Sequence, residues 1–111
     1  MTEIETGAKF ATLVNTMTTT PEKQQQLLDM LLEATEEHIR HLPGFVSANF
    51  HKSADGTRIV NYGHWEKAED WYAMQADPVA SQHIADIKDL LVKAPDYDLY
   101  EVVATYSRDD A

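Results

Sequence analysis

Hydrophobic and β-branched residues concentrate in four stretches of the chain, where they alternate with polar residues. A period of two sends successive side chains to opposite faces of a strand. The sequence therefore predicts four β-strands, which span residues 10–17, 45–52, 58–65 and 97–106. The Asp55-Gly56 pair between the second and third strands is typical of a hairpin turn, so these two strands are expected to pair.

The intervening segments carry hydrophobic residues at helical spacing. A long helix is predicted from Glu22 to Leu42, because Glu22 stands three residues after Thr19, as in a capping box, and an apolar stripe follows. A second helical region is interrupted by proline. It comprises a short helix over residues 66–75 and a further helix from residue 78 to about residue 92.

The order of these elements is β-α-β-β-α-β with the second helix split, which is the ferredoxin-like α+β pattern. This topology has the sheet order 4-1-3-2, so the first and third strands are neighbours. Asn15 and Asn61 are then expected to lie side by side on one sheet face. The 111 residues form one predicted domain, with a core over about residues 8–106 and a flexible tail over residues 107–111.

Net charge narrows the list of partners. The chain carries 9 Lys and Arg against 19 Asp and Glu, a net charge of −10. Nucleic-acid binding needs a basic surface, and an anionic membrane repels an acidic one, so neither partner is expected. A small subunit that shelters an organic substrate gains wall area by pairing with a second copy, so a homodimer is expected.

The chain contains no cysteine, which excludes disulfides, thiolate nucleophiles and iron–sulfur clusters. No signal peptide and no long apolar run is evident, so a cytoplasmic location is expected. His38 and His41 are three residues apart, but the charged residues around them indicate a solvated helix face, and no metal site is predicted.

The candidate chemistry lies on the third strand. The chain has no Gly-x-Gly-x-x-Gly, Walker or His-Glu-x-x-His motif. Asn61 and Trp65, four residues apart on one strand face, each bring a side-chain N–H that does not titrate near neutral pH. Fixed neutral donors suit the oxygen of an enolate or phenolate in a dry pocket. The alternative is that both residues only fill the core.

Several motifs resemble one family. They are residues 55–66, Trp71-Tyr72, residues 76–78, residues 43–45 and Phe50-His51. Together they resemble the antibiotic biosynthesis monooxygenases, nearest the anthrone-type oxygenases of aromatic polyketide pathways. The similarity extends from Phe10 to about Tyr106. It implies a dimeric α/β barrel that uses O₂ to oxidise a phenolic, anthrone or quinol substrate to a quinone, without flavin, heme or metal.

The resemblance also implies roles for individual residues. Asn61 and Trp65 would bind the substrate oxygen, and His51 would accept a proton, although a solvated His51 at the strand end is an equal alternative. Further substrate-binding candidates are Asn15, Trp71, Tyr72 and His83. The family aromatic that is usually tyrosine falls on Trp71 here, and no basic residue is evident at residues 83–85 beyond the histidine.

Two other functions remain open. Bacterial heme-degrading monooxygenases of the same fold resemble this chain at Asn15, Asp70-Trp71 and His83, which would make His83 an axial ligand of heme iron. The spacing from Trp71 to His83 departs from that pattern by two residues. A non-catalytic dimer that binds a small ligand is the third possibility, because ferredoxin-like folds host many functions.

Overall fold

The computed structural model describes residues 10–109. Its strands are β1 (Ala11–Thr18), β2 (Phe45–Lys52), β3 (Arg58–Trp65) and β4 (Asp96–Tyr100), and its helices are α1 (Gln24–Glu37), α2 (Ala68–Ala76) and α3 (Pro78–Asp86). Short 3-10 helices follow α1 at Ile39–His41 and α3 at Lys88–Leu90. Within the described part of the chain, no helix is both long and apolar enough to span a membrane.

The four strands form one antiparallel sheet in the order β2-β3-β1-β4. This is the predicted ferredoxin-like order, and the α+β fold is confirmed. The ladder between β1 and β3 places Asn15 directly opposite Asn61, as predicted. Tyr97 of β4 lies opposite Asn15 on its other side, and Phe50 of β2 lies opposite Asn61. One row of side chains therefore crosses all four strands.

The helices pack on one face of the sheet, which we call the inner face, and the core there has two parts. One buried cluster contains Met17 and Ile59 of the strands, together with Leu27 and Ile87. The other contains Leu13, Trp65 and Trp71. Positions 15 and 61 fall between these clusters along β1 and β3, because the strand period is two. The asparagine pair therefore divides the apolar core.

Both helical regions end earlier than predicted. The first helix runs from Gln24 to Glu37 and not to Leu42, and its start has no side-chain cap. The expected capping box is wrong, because the Thr19 hydroxyl donates instead to the carbonyl oxygen of Leu90 at 2.6 Å. A tertiary hydrogen bond thus replaces the local one.

The last strand is also shorter than predicted and stops at Tyr100, although residues 97–106 keep their alternation. It pairs with β1 between Thr12 and Thr16, and β1 itself begins at Ala11. Residues beyond Tyr100 therefore pass the end of the described partner strand and form no ladder. Residues 107–109 of the expected tail are exposed, and residues 110 and 111 lie outside the described part.

The sheet face opposite the helices, which we call the outer face, holds a buried histidine. His64 is 3% exposed and lies beside Ser47, whose hydroxyl oxygen is 3.2 Å from Nδ1. Its ring packs against Tyr62 in a T-shaped contact with centroids 5.1 Å apart, and against Phe10 at 6.1 Å. Burial disfavours the imidazolium and lowers the pKa of His64 below its ordinary value.

This histidine makes the free energy of unfolding depend on pH. The unfolded imidazole takes up a proton below about pH 6.5, whereas folded His64 stays neutral until the pH reaches its lowered pKa. This contribution of His64 to the free energy of unfolding is therefore fully present above the pKa of the unfolded imidazole. It is lost as the pH falls through the lowered pKa of folded His64. Within that window the slope approaches about 1.4 kcal/mol per pH unit for one proton.

We expect His64→Asn to flatten this slope in urea denaturation between neutral and mildly acidic pH, because asparagine keeps a hydrogen-bonding group near Nδ1 but cannot titrate. His51→Asn, which removes an exposed imidazole from the same face, is the matched control. Protein concentration is held constant throughout. Equal slopes for the parent and His64→Asn proteins would contradict the assignment.

Candidate active site

A cavity of about 590 Å³ lies between the inner sheet face and the helices. This volume is in the range of small-molecule sites. Most of its wall is apolar or aromatic, and none of the described residues that line it is Lys, Arg, Asp or Glu. Its polar side chains are Asn15, Thr35, Asn61, Gln75, Ser81, His83 and Tyr97, together with the indoles of Trp65 and Trp71. The cavity is therefore a neutral, mostly apolar compartment with a few polar groups.

A glycine makes room for this cavity at the centre of the sheet. The inner face of β3 reads Asn61, Gly63 and Trp65, so the position between the two candidate donors has no side chain. A Cβ atom there would stand only 3.1 Å from the carbonyl oxygen of Ser47 on β2. Gly63 thus permits close strand approach and leaves open space between the side chains of Asn61 and Trp65.

The orientation of the Asn61 amide is set by a neighbouring strand. Its Oδ1 accepts a hydrogen bond from the backbone N–H of Asn49 on β2 at 3.3 Å. The Nδ2 group has no hydrogen-bond partner among the described residues, and it is not enclosed. Because the oxygen end of the amide is held by β2, the nitrogen end remains a donor for a ligand in the cavity.

Two tryptophans contribute further donors. Trp65 is 3% exposed and meets Phe45 in a T-shaped contact at 5.4 Å, and Trp71 is 5% exposed and packs against Tyr97 at 5.6 Å. Both rings line the cavity. No described residue accepts a hydrogen bond from either indole N–H, and neither N–H is completely buried. Their aromatic packing fixes the rings while the N–H groups stay available.

Five of the seven predicted site residues line this one cavity. They are Asn15, Asn61, Trp65, Trp71 and His83. Tyr72 does not line it, because its side chain is 58% exposed and its ring meets Trp71 at 5.0 Å. The structure also does not bring His51 there, since His51 is exposed and pairs with Val60 on the outer face.

An irregularity in β2 explains the position of His51. The register between β2 and β3 shifts between Phe45 and Ser47, so one extra residue is inserted there. Phe45 and Phe50, five residues apart, both line the cavity as a result. In a regular strand, residues six apart would share a face, and His51 would lie on the same face as Phe45. The shift sends His51 to the opposite face.

Sequence reasoning missed a contact that fixes one wall of the cavity. His38 Nε2, just after α1, lies 2.6 Å from Asp77 Oδ2, and Asp77 also accepts from the Ala80 N–H at 3.0 Å as the N-cap of α3. The Ala80 bond first, and then the His38 bond, lowers the pKa of Asp77. The Asp77-Pro78 pair before a helix was the available signal for the cap, but nothing local indicated His38.

The two tryptophans of the chain are both in the cavity wall, so intrinsic fluorescence reports on it directly. We expect menadione, a neutral naphthoquinone, to quench the emission in a saturable way, because quinones accept electrons from excited indoles at contact. Trp65→Phe and Trp71→Phe are each expected to retain saturable quenching of the remaining tryptophan.

A control moves the reporter to the surface. In Trp65→Phe/Trp71→Phe/Tyr106→Trp the only indole stands at a position that is 93% exposed, and only linear, collisional quenching is expected. Linear quenching in the parent protein as well would contradict ligand access to the cavity.

Comparison with known proteins agrees with this fold. A family model described as antibiotic biosynthesis monooxygenase matches residues 10–86. Tetracenomycin-F1 monooxygenase of Streptomyces glaucescens is 48% identical over 83 residues, which cover 75% of this chain and 74% of that protein.

Solved structures agree as well. A monooxygenase from the gene ActVA-Orf6 of Streptomyces coelicolor, crystallised with nanaomycin D, has a TM-score of 0.78 at 28% identity and covers 90% of this chain and 92% of its own. An anthrone oxidase-like protein has a TM-score of 0.83 at 22% identity, over 98% of this chain and 50% of its own. The resemblance seen in the sequence is confirmed. The chain belongs to the antibiotic biosynthesis monooxygenase family, and it is a monooxygenase.

Proposed function

We propose that this monooxygenase oxidises an electron-rich anthrone or quinol with O₂ to the corresponding quinone, and that it needs no cofactor. The observation that carries the proposal is the donor end of the Asn61 amide, held in place by the Asn49 N–H, in a cavity lined by no charged side chain. The relatives support an aromatic polyketide substrate, because one is named for tetracenomycin F1 and another was crystallised with nanaomycin D.

The reaction requires little from the protein. An anthrone loses a proton from its methylene carbon and becomes an enolate, whose negative charge resides largely on oxygen. The enolate passes one electron to O₂, and the resulting radical and superoxide combine to form a carbon–oxygen bond. After protonation this hydroperoxide loses water, so the methylene becomes a carbonyl. One oxygen atom enters the product, and the other leaves as water.

Asn61 and Trp65 act on the charged oxygen. Hydrogen bonds from the Nδ2 group and the indole N–H stabilise the enolate more than the neutral substrate, because they are aimed at the atom where charge develops. Such bonds gain strength in a cavity of low polarity. Both donors stay neutral over the working pH range, so neither competes for the proton that the substrate releases.

His83 is the candidate acceptor of that proton. It is the only imidazole among the described residues that line the cavity, and no carboxylate lines it. It lies on α3, whose first turn is held to the end of α1 through Asp77 and His38. His83 thus takes the role that the family resemblance gave to His51, which lies on the other face of the sheet.

Heme fits this cavity poorly. The three residues shared with the heme-degrading group, Asn15, Trp71 and His83, do line it. However, heme carries two propionates, and none of the described lining residues is Lys or Arg. We therefore derive no step through heme.

Oxygen consumption with dithranol tests the proposal. We expect Asn61→Leu, which keeps the volume and removes the donor, to lower kcat/KM by about a hundredfold, the usual effect of losing one such donor. Trp65→Phe is expected to lower it by about tenfold, since the ring is kept and one hydrogen bond is lost. Uncatalysed oxidation of dithranol is subtracted, and ¹⁸O₂ should place one labelled atom in the product.

Thr35→Val is the matched control. Thr35 also lines the cavity, but its hydroxyl donates to the Leu31 carbonyl within α1, so its loss should leave turnover within about twofold of the parent value. The assignment of Asn61 and Trp65 fails if both variants turn over dithranol as fast as Thr35→Val does.

We also propose that the enzyme is a homodimer that pairs through the outer sheet face. The helices cover only the inner face. On the outer face the central strands carry Val14, Val60 and Tyr62, flanked by Phe10 (42% exposed) and Tyr100 (56% exposed). Large apolar and aromatic side chains on a sheet face that no helix covers are typical of a surface that a partner covers. Three expectations from the sequence stay predictions: that the protein binds no nucleic acid, that it binds no membrane, and that it is cytoplasmic.

Light scattering after size-exclusion chromatography tests the dimer. The parent protein should have about twice the chain mass of 12.6 kDa. Val14→Glu, which places a charge in the centre of the outer face, should give the monomer, whereas Leu32→Glu at a 44% exposed position of α1 should stay dimeric. Circular dichroism confirms that both variants are folded. A monomeric parent protein would disprove the pairing.

A further inference from the structure

One polar atom in the core has no hydrogen-bond partner. Among the buried side-chain oxygen and nitrogen atoms of residues 10–109, Asn15 Oδ1 alone lacks one. Buried polar atoms in folded proteins almost always have a partner, so an exception needs an explanation. Asn15 lines the cavity and stands between Asn61 and Tyr97 in the row of side chains across the sheet. Its position makes a ligand the natural partner.

The two asparagines differ in how firmly they are held. Asn61 is fixed by the Asn49 N–H, so it offers the cavity a donor. Asn15 has no hydrogen bond at either end of its amide, and rotation about its terminal torsion exchanges the two ends at little cost. In this structure its oxygen is enclosed, and this rotation would turn the oxygen toward the cavity. A free amide oxygen beside a fixed donor makes a complementary pair.

Geometry places this pair on two neighbouring oxygens of one substrate. Residues directly opposite on antiparallel strands have Cβ atoms about 5 Å apart, and their side chains converge on the same space. An aromatic ring system that carries a hydroxyl beside its carbonyl presents an acceptor next to a donor. When Asn61 and Trp65 both donate to the carbonyl oxygen, they occupy its two lone pairs, and the hydroxyl proton that would otherwise bond there becomes available to Asn15.

We infer that Asn15 accepts a hydrogen bond from a phenolic hydroxyl adjacent to the oxygen bound by Asn61, and that the enzyme thereby selects hydroxylated substrates. This inference rests on the proposed function for the identity of the reacting oxygen. It makes Asn15 a specificity residue, because the bond is formed equally well before and during reaction. A substrate without that hydroxyl leaves the acceptor unpaired.

Binding tests the inference without turnover. Juglone carries a hydroxyl beside one carbonyl, and naphthoquinone lacks it, so the ratio of their dissociation constants isolates the hydroxyl. Both are followed by tryptophan quenching, and the absence of cysteine avoids thiol addition. We expect the parent protein to favour juglone by about tenfold, the value of one hydrogen bond, and Asn15→Leu to remove this preference.

Two further variants keep the result interpretable. Met17→Leu changes a buried neighbour on the same strand without touching a polar group, and it should keep the preference for juglone. Asn15→Ala removes the acceptor without adding bulk, and it should lose the preference as Asn15→Leu does. Because Asn15→Leu replaces an unpaired polar group in an apolar wall, its Tm should equal or exceed that of the parent protein.

The outcomes separate the inference from the proposed function. A parent protein that binds the two quinones equally, or an Asn15→Leu variant that keeps the preference, overturns the inference whether or not the enzyme consumes O₂. In turnover, Asn15→Leu should lower kcat/KM for dithranol about tenfold and leave that for unsubstituted anthrone within about twofold. If neither anthrone is oxidised by the parent protein but the juglone preference depends on Asn15, the proposed function fails and the acceptor site stands.

Discussion

The hydrogen bond between the Asn49 N–H and Asn61 Oδ1 is the contact on which the site depends. An amide can present either of its ends, and only the nitrogen end stabilises an enolate oxygen. The bond occupies the oxygen with a backbone donor from β2, whose position is set by the whole sheet. The amide is therefore oriented as soon as the sheet forms, and in the proposed mechanism it needs no reorientation as charge develops on the substrate.

The same pair of asparagines explains why a protein of this size contains a cavity at all. Apolar residues at positions 15 and 61 would let the two buried clusters merge into one core. The amides and Gly63 interrupt that packing at the centre of the sheet. The fold gives up apolar burial there, and the remaining clusters at the two ends of the strands hold the sheet to the helices. Stability and function compete at these positions, as expected when a site occupies a core.

The sequence was informative wherever period-two alternation and strand order decided the outcome. The register that joins Asn15 to Asn61 follows from the topology, and Trp65 follows from its spacing to Asn61. His51 could not be placed, because one inserted residue in β2 reverses the face of everything after it, and no Gly or Pro marks the insertion. The His38–Asp77 contact joins residues 39 positions apart, and the Thr19–Leu90 bond spans 71, so local patterns gave no signal for either.

Charge adds a further constraint on how the site operates. The protein carries a net charge of −10, yet the described cavity wall has no carboxylate or cationic side chain. The overall field opposes formation of a substrate anion, but solvent and salt screen it over about 10 Å. Donors in direct contact act through a medium of low polarity and are screened far less. In the proposed mechanism anion formation is therefore governed locally, because the donors would touch the substrate oxygen while the negative charges of the protein stay in water.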